Sequence, residues 1–261
     1  MATYCRFQHG DTIDHGLVEG DRVRAITGDL FGDHTVSSDS LALSDVRLLA
    51  PVDPRKVLAA AVNYPSHIPS ARSVVKDGAP AVPQLFFKPS SSVIGPDDTI
   101  ILPAEARRVD AEGEQVAVIG RLCRNVDAAS ALDYVFGYTC GNDLSARHWQ
   151  RDDIQWWRAK GSDTFTVVGP VIVTGLDPAD MELRTLVNGE EKQASNTSNL
   201  IFGLAELIAF CSRYMTLEPG DLIYTGTPDE PPKLEDGDVV EVEIAGIGVL
   251  RNPVRRESPA D

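Results

Sequence analysis

The sequence lacks the features that mark membrane-spanning and secreted proteins. No apolar run approaches the length that crosses a bilayer, and the best candidate, Leu200 to Cys211, is interrupted by Gly203 and Glu206. Residues 1–10 have no apolar stretch behind a basic start, so no secretory signal is evident. The four cysteines are scattered and form no C-x-x-C pair. We therefore expect a cytoplasmic protein with free thiols.

Basic residues are also scarce relative to acidic ones. The 261 residues include 24 Lys and Arg against 39 Asp and Glu, which gives a formal net charge of −15. Such a surface repels phosphate backbones and anionic headgroups, so we expect neither nucleic acid nor a membrane as partner. A small anionic substrate stays compatible, because a bound metal ion supplies positive charge locally.

Short apolar segments separated by glycine, proline and asparagine predict a mainly β protein with few helices. Asn188-Gly189 follows an apolar run and predicts a hairpin with a type I′ turn. Apolar side chains at helical spacing over residues 200–211 predict a helix, capped by Ser198 or Asn199. Strands are predicted from Thr3 to Gln8, Arg22 to Thr27, Val57 to Val62 and Leu85 to Phe87, and at Val240, Val242 and Ile244.

Two proline-rich stretches indicate how the chain is divided. Pro51 and Pro54 bias the residues before them away from helix, so we place a connector there. This predicts a small N-terminal β-rich domain over residues 1–52 and a larger domain over residues 53–261. The stretch from Pro65 to Pro83 has prolines at both ends and predicts a mobile loop or a short helix.

The first candidate site is Glu112-Gly113-Glu114, directly before the apolar run Val116 to Ile119. If the strand extends backwards, both glutamates lie on one face, because side chains alternate along a strand. Two adjacent carboxylates stay ionised together only with positive charge between them, and oxygen ligands suit Mg²⁺, Mn²⁺ or Ca²⁺. The alternative is a solvated acidic turn, which on the residue pattern alone is the commoner case.

The second candidate site is Asn142-Asp143, at the end of a predicted strand. Strand ends that lead into loops are common positions for functional residues, and Asp143 would supply a third carboxylate. Arg147 and Gln150 follow at four and seven residues, on one side of a helical turn. Alternatively, Asn142 or Asp143 merely caps that turn. The spacing alone does not separate these two readings.

Taken in order, several segments resemble the fumarylacetoacetate hydrolase superfamily over roughly residues 55 to 254. The resemblance implies a β-roll core of mixed sheets with few helices, beside the small N-terminal β-rich domain, and a homodimer. The segments are Ala61 to His67, Phe86 to Pro89, Val93 to Pro96, Glu112 to Glu114, Asp143, Lys160 to Phe165 and Pro219 to Pro228.

The resemblance also implies the roles of individual residues. His67 is the expected general base, since an imidazole titrates near neutral pH, and Lys160 is expected to stabilise enolate charge. The expected ligands of Mg²⁺ or Mn²⁺ are Glu112, Glu114 and Asp143, and the expected substrate contacts are Tyr64, Arg147, Gln150 and Thr227.

The implied activity is hydrolysis of a C–C bond in a 1,3-diketo acid, such as an acylpyruvate or fumarylpyruvate, through a metal-stabilised enolate. However, Ser70 stands where hydrolases of this family carry a glutamate that orients the histidine. Decarboxylation or isomerisation of a 2-oxo or hydroxymuconate-type diacid at the same site is therefore an alternative, and a non-catalytic ligand-binding protein is a second one. Val167 and residues 229–232 also depart from the family pattern and are expected to alter the pocket wall.

Overall fold

The computed structural model describes residues 1–71 and 78–258. These residues form mostly strands, together with three short or medium α-helices: α1 (Arg147–Asp152), α2 (Trp157–Gly161) and α3 (Leu204–Tyr214). The strands are β1 (Thr3–His9), β2 (Thr12–Glu19), β3 (Arg22–Gly28), β4 (His34–Val36), β5 (Leu41–Ala42), β6 (Arg47–Leu49), β7 (Val57–Ala61), β8 (Gln84–Lys88), β9 (Val93–Ile94), β10 (Ile100–Leu102), β11 (Val109–Asp110), β12 (Gly113–Ile119), β13 (Val135–Asp143), β14 (Ser145–Ala146), β15 (Thr166–Val173), β16 (Glu182–Val187), β17 (Glu190–Asn196), β18 (Leu222–Tyr224), β19 (Val239–Ile244) and β20 (Gly248–Arg256).

A large sheet forms the centre of the molecule, in the order β4-β3-β2-β1-β15-β13-β12-β18-β7-β8. The neighbours β12 and β13 are antiparallel, whereas β18 and β7 are parallel. The sheet is therefore mixed, as the mainly β prediction with mixed sheets required. Its middle strands β12, β13 and β15 are almost fully buried, which explains the uninterrupted apolar run Val116 to Ile119 within β12.

A second sheet, in the order β10-β20-β19-β16-β17, packs against the first. Along β19, Val240, Val242 and Ile244 are buried while the glutamates between them are half-buried, so the predicted alternation is confirmed. Their side chains join one apolar core with residues of β12, β13 and α3. Full burial of each such side chain stabilises the fold by about 1.5–3 kcal/mol.

The N-terminal strands continue the large sheet. Thr3 and Tyr4 of β1 pair with Val173 and Ile172 of β15, and Cys5, Phe7 and Val23 form a small apolar cluster of their own. The predicted strands Thr3 to Gln8 and Arg22 to Thr27 are confirmed as β1 and β3. The division of the chain after residue 52 stays a prediction.

Two local predictions met different outcomes. Asn188 and Gly189 both have positive φ, at 54° and 77°, between the antiparallel strands β16 and β17, so the hairpin is confirmed. The predicted helix cap is wrong. Ser198 and Asn199 lie in a separate 3-10 turn, and α3 begins after Gly203, whose N–H donates to the Glu206 carboxylate at 2.9 Å.

None of the helices in the described part of the chain combines the length and the apolar character needed to cross a membrane. The predicted loop from Pro65 to Pro83 begins with a 3-10 turn over Pro65–His67. Residues 72–77 of that loop lie outside the described residues.

Candidate active site

The start of β12 and the end of β13 lie side by side and hold the acidic residues. Asp143 N–H donates to the Glu112 carbonyl at 2.9 Å, and the Glu112 N–H donates to the Asn142 side chain at 2.9 Å. Asn142 therefore fixes the backbone of Glu112 and does not cap α1, which has no side-chain cap. Two segments thirty residues apart are thereby held in one rigid pair.

The three predicted carboxylates converge. One ligand oxygen from each of Glu112, Glu114 and Asp143 lies within 4.8 Å of the others. The three residues are only 4%, 1% and 1% exposed, so the alternative of a solvated acidic turn is wrong. Burial raises the pKa of Glu114, and the charges of Asp143 and Glu112 raise it further. Such a group calls for a cation, and its all-oxygen donor set fits Mg²⁺ or Mn²⁺.

A glycine between the two glutamates lets the sheets approach each other closely here. A Cβ on Gly113 would lie 2.1 Å from Thr185 Oγ1 and 3.3 Å from Val242 Cγ1, both in the second sheet. The second sheet thus backs the acidic cluster directly.

Lys160 and Arg147 neutralise part of the acidic cluster. Lys160 Nζ donates to Glu112 at 2.6 Å and to Asp143 at 2.7 Å, while Arg147 donates to Glu112 at 2.6 Å and to Asp110 at 2.8 Å. Burial alone would raise the pKa of Glu112, but Lys160 and Arg147 hold it below its ordinary value. Burial alone would lower the pKa of Lys160, but Asp143 and Glu112 raise it. Lys160 therefore stays an ammonium ion.

A second buried lysine, Lys88, was not predicted as a site residue. Its Nζ donates to the Asp143 carboxylate and to the Lys160 carbonyl, and it is 2% exposed. Burial lowers the pKa of Lys88, and Asp143 acts in the opposite direction. The sequence signal that could have identified it is its position directly after the apolar run Leu85 to Phe87. A buried cation is costly unless it is paired, so a lysine at the end of a buried strand indicates an acidic partner.

Glu114 takes its support from the C-terminal part of the chain. Gly226 N–H donates to its carboxylate at 2.6 Å, and Gly226 has a φ of 99°, which favours glycine. The neighbouring Thr225 carbonyl accepts from the Asn63 side chain at 2.8 Å. This hydrogen bond joins the segment before the Pro65 to Pro83 loop to the segment after β18.

Tyr64 does not line the cleft described below. The residue is fully buried, and its hydroxyl has no hydrogen-bond partner among the described residues. Burial and the charge of Glu114 raise the pKa of this phenol. A bound molecule would supply the hydrogen-bond partner that this buried hydroxyl lacks within the described ranges.

The expected base, His67, is oriented by a backbone carbonyl. His67 Nδ1 lies 2.7 Å from the Asp229 carbonyl oxygen and 3.1 Å from Ser70 Oγ. Because a carbonyl only accepts, Nδ1 carries the proton and Nε2 is left as the basic nitrogen. No carboxylate among the described residues is hydrogen-bonded to this imidazole. Burial lowers the pKa of His67, with Glu112 opposing, so the ring is neutral near pH 7.

A cleft of about 490 Å³ opens onto these groups. Gln150 accepts from Arg147 at 3.0 Å, and the Thr227 hydroxyl accepts from Gln193 at 3.0 Å. The predicted site residues that line the cleft are His67, Glu112, Arg147, Gln150, Lys160 and Thr227.

The two departures from the family pattern lie in different places. Glu230 and Pro231 line the cleft, in agreement with the expectation for residues 229–232. The expectation for Val167 is wrong. Val167 is a fully buried residue of β15, paired with Asn142 of β13, and its carbonyl accepts from the Tyr224 hydroxyl at 2.7 Å. A central strand keeps it away from the cleft wall.

Comparison with known proteins assigns the chain to a family. Residues 56–255 match the family described as Fumarylacetoacetate (FAA) hydrolase C-terminal, and residues 3–51 match Rv2993c-like, N-terminal. Protein Rv2993c of Mycobacterium tuberculosis is 50% identical over 237 residues, which cover 90% of this chain and 88% of the relative. Oxaloacetate tautomerase Fahd2a, mitochondrial, of Rattus norvegicus is 42% identical over 223 residues, with 81% and 70% covered.

Solved structures agree with this assignment. The 5-carboxymethyl-2-hydroxymuconate delta-isomerase from Mycobacterium smegmatis superimposes with a TM-score of 0.91 at 46% identity, covering 98% of this chain and all of that chain. The maleylpyruvate hydrolase from Sphingobium sp. SYK-6, in complex with manganese (II) ion and pyruvate, gives a TM-score of 0.82 at 31% identity, with 99% and 100% covered. The chain belongs to the fumarylacetoacetate hydrolase family, whose members are enzymes.

Proposed function

We propose that the chain is a divalent-cation-dependent enzyme that moves a proton on a 2-oxo dicarboxylic acid, as a keto–enol tautomerase or a double-bond isomerase. The observation that carries this proposal is the environment of His67. Its imidazole faces the cleft and is oriented by the Asp229 carbonyl at 2.7 Å, with a serine at position 70. This arrangement suits a weak base that takes a carbon-bound proton, and it lacks the carboxylate that strengthens a water-activating histidine.

The acidic cluster supports the requirement for a cation. Glu112, Glu114 and Asp143 would hold Mg²⁺ or Mn²⁺ through oxygen atoms that already lie within 4.8 Å of one another. When bound, the cation supplies Lewis-acid polarisation of the substrate's 2-oxo group. The relative crystallised with manganese (II) and pyruvate contains such an ion and a 2-oxo acid.

The charge balance of the site supports a substrate with two negative charges. Its four buried carboxylates are matched by four cationic side chains, and a divalent cation then adds two positive charges. A dicarboxylate ion restores neutrality in a cleft where unpaired charge is costly. The groups counted are Asp110, Glu112, Glu114 and Asp143 against Lys88, Arg108, Arg147 and Lys160.

The chain's own residues then perform the proton transfer. His67 Nε2 takes a proton from the carbon next to the 2-oxo group, and the C–H electron pair becomes the C=C bond of an enolate. The Lys160 ammonium, already fixed by Glu112 and Asp143, stabilises the negative charge on the enolate oxygen. The proton held by His67 returns to the oxygen in a tautomerase or to a more distant carbon in an isomerase.

Proton exchange in heavy water tests this function directly. Oxaloacetate or a 2-hydroxydienedioate is incubated with the protein in D₂O, with Mn²⁺ or with EDTA, and deuterium at the carbon next to the 2-oxo group is followed by NMR. We expect metal-dependent exchange that is lost in His67→Ala and kept in His34→Ala, a matched histidine of the N-terminal strands. Exchange at the background rate in the metal-loaded protein would contradict catalysis and favour a ligand-binding role.

Hydrolysis is the second candidate, and one observation favours it: the maleylpyruvate hydrolase matches this chain over 99% of its length. In that case His67 would take a proton from water, and the hydroxide would form a C–O bond at the distal carbonyl of a 1,3-diketo acid. The C–C bond would then break, leaving a carboxylic acid and an enolate. Reaction of an acylpyruvate in H₂¹⁸O tests whether the chain hydrolyses the C–C bond. Label in a newly formed carboxylate indicates hydrolysis, and release of CO₂ indicates decarboxylation.

A homodimer in the cytoplasm completes the proposal. Sedimentation at several protein concentrations tests the dimer.

A further inference from the structure

We infer that Arg108, on the wall of the cleft, forms a subsite for the distal carboxylate of the substrate. This inference rests on the proposed function, because it assigns the second negative charge of a 2-oxo dicarboxylic acid. It adds a residue that neither the motifs nor the resemblance singled out. Arg108 lines the cleft and precedes β11 by one residue.

Arg108 is held in place yet keeps most of its donors available. Its Nε donates to Asp110 at 2.8 Å, and its side chain is 46% exposed. Its Nη2 lies 3.9 Å from the exposed carboxylate of Glu230, beyond hydrogen-bonding distance. A guanidinium has five N–H donors in a fixed fork. Of the five on Arg108, only Nε–H is hydrogen-bonded to a described residue. Nη1 and Nη2 of Arg108 can therefore bind a carboxylate bidentately.

The other cations of the cleft are occupied. Arg147 uses all three nitrogens, on Asp110, Glu112 and Gln150. Lys160 Nζ already donates to Glu112 and Asp143. All three nitrogens of Arg147 are therefore engaged, and the one N–H left on Lys160 is assigned to the enolate oxygen, so neither side chain is available for the distal carboxylate.

Arg151, the remaining arginine on the cleft wall, is hydrogen-bonded through its guanidinium to Asp152. Its Nε and Nη2 donate to Asp152 at 2.8 and 3.2 Å, and its side chain is 62% exposed. Solvent screens such a pair strongly. Arg151 is consequently the matched control for Arg108: it has the same charge in the same cleft, but no buried anchor.

Asp110 gives the subsite its fixed position. Its two oxygens accept from Arg108 at 2.8 Å and from Arg147 at 2.8 Å, and its side chain is 2% exposed. Arg147 in turn is bonded to Glu112, a member of the acidic cluster. A continuous chain of charged hydrogen bonds thus sets the separation between the acidic cluster and Arg108, and this separation selects for the length of the substrate.

Binding of two acids of equal length tests the inference without turnover. The probes are 2-oxoadipate and 2-oxohexanoate, which share six carbons and the 2-oxo acid group but differ in the distal carboxylate. Dissociation constants are measured by titration calorimetry on the Mn²⁺-loaded protein. We expect the wild type to prefer 2-oxoadipate by about tenfold or more, as for a charged hydrogen-bonded pair.

The variants decide whether Arg108 carries that preference. We expect Arg108→Met to bind both acids equally, Arg108→Lys to keep part of the preference, and Arg151→Met to keep all of it. A preference that survives in Arg108→Met, or disappears equally in Arg151→Met, overturns the subsite. Equal binding of both acids by the wild type also overturns it, whereas failure to bind either acid contradicts the proposed function itself.

Discussion

Gly113 separates the two glutamates of the acidic cluster, and a single methyl group there should disturb both the packing and the site. In Gly113→Ala the new Cβ would lie 2.1 Å from Thr185 Oγ1. Thr185 is fully buried between the sheets, so neither group can move into solvent. Overpacking of this kind costs about 1–3 kcal/mol, which in a chain of this size lowers the melting temperature by about 2–4 °C per kcal/mol.

The neighbour of Gly113 offers an internal control. Thr185 Oγ1 has no hydrogen-bond partner among the described residues, so Thr185→Ala removes the clashing atom at little cost. It leaves Val242 Cγ1 at 3.3 Å and Cβ of residue 185 at 3.4 Å from the new methyl group, contacts that a shift of a few tenths of an ångström relieves. We therefore expect Gly113→Ala to cost less than about 1 kcal/mol in the Thr185→Ala background, with Mg²⁺ affinity restored in parallel.

Urea denaturation of the four proteins and Mg²⁺ titration by calorimetry measure both quantities. A coupling energy of about 1 kcal/mol or more between the two positions is expected. Equal destabilisation by Gly113→Ala in both backgrounds would refute the steric explanation. Loss of stability without loss of Mg²⁺ affinity would show that the glutamates do not depend on this packing.

Four further predictions concern the buried charges and the base. In Lys88→Met we expect the free energy of unfolding of the metal-free protein to fall by about 3 kcal/mol, because Asp143 keeps a single ammonium partner. We also expect Mg²⁺ to raise the melting temperature of this variant by more than that of the wild type. Calorimetry with EDTA and with Mg²⁺ checks both expectations. Because burial lowers the pKa of His67 from 6.5, the acid limb of kcat/KM should lie below pH 6.5 and be absent from the residual activity of His67→Ala. The same shift means that stability is lost as pH falls below 6.5, where the unfolded chain binds the proton first. In Ser70→Glu a carboxylate stands beside Nδ1, so the acid limb should move to higher pH; a limb that does not move contradicts His67 as the base.

Local patterns predicted much of the β structure. The alternation in β19 and the Asn188-Gly189 turn each depend on neighbours in the chain, and both are confirmed. The start of α3 was missed because Gly203 is a weak cap by residue type. What stabilises that start is the Glu206 side chain, which reaches back to the Gly203 N–H, while Ser198 is engaged in its own turn with Asn196.

The acidic cluster was predictable as a set of residues, but its surroundings were not. The family resemblance assigned Glu112, Glu114 and Asp143 as ligands, whereas the residue pattern alone favoured a solvated acidic turn, because their burial depends on the second sheet. The partners Lys88 and Gly226 come from β8 and from the segment after β18, far away in sequence, and no local pattern predicts which segments become neighbours. The carbonyl that orients His67 belongs to a similarly distant segment, and a backbone atom leaves no signature in residue type.

The parallel pairing of β7 with β18 places Val57 beside Leu222, so this pair of strands can form only after most of the chain has been synthesised. His67 leaves the ribosome early, but the carbonyl that orients it and the amide that holds Glu114 are made only after β18. Pairing between such distant segments forms late in folding. We therefore expect a divalent cation to bind a nearly finished protein, so that metal starvation of the cell would leave folded, empty molecules that can be activated afterwards.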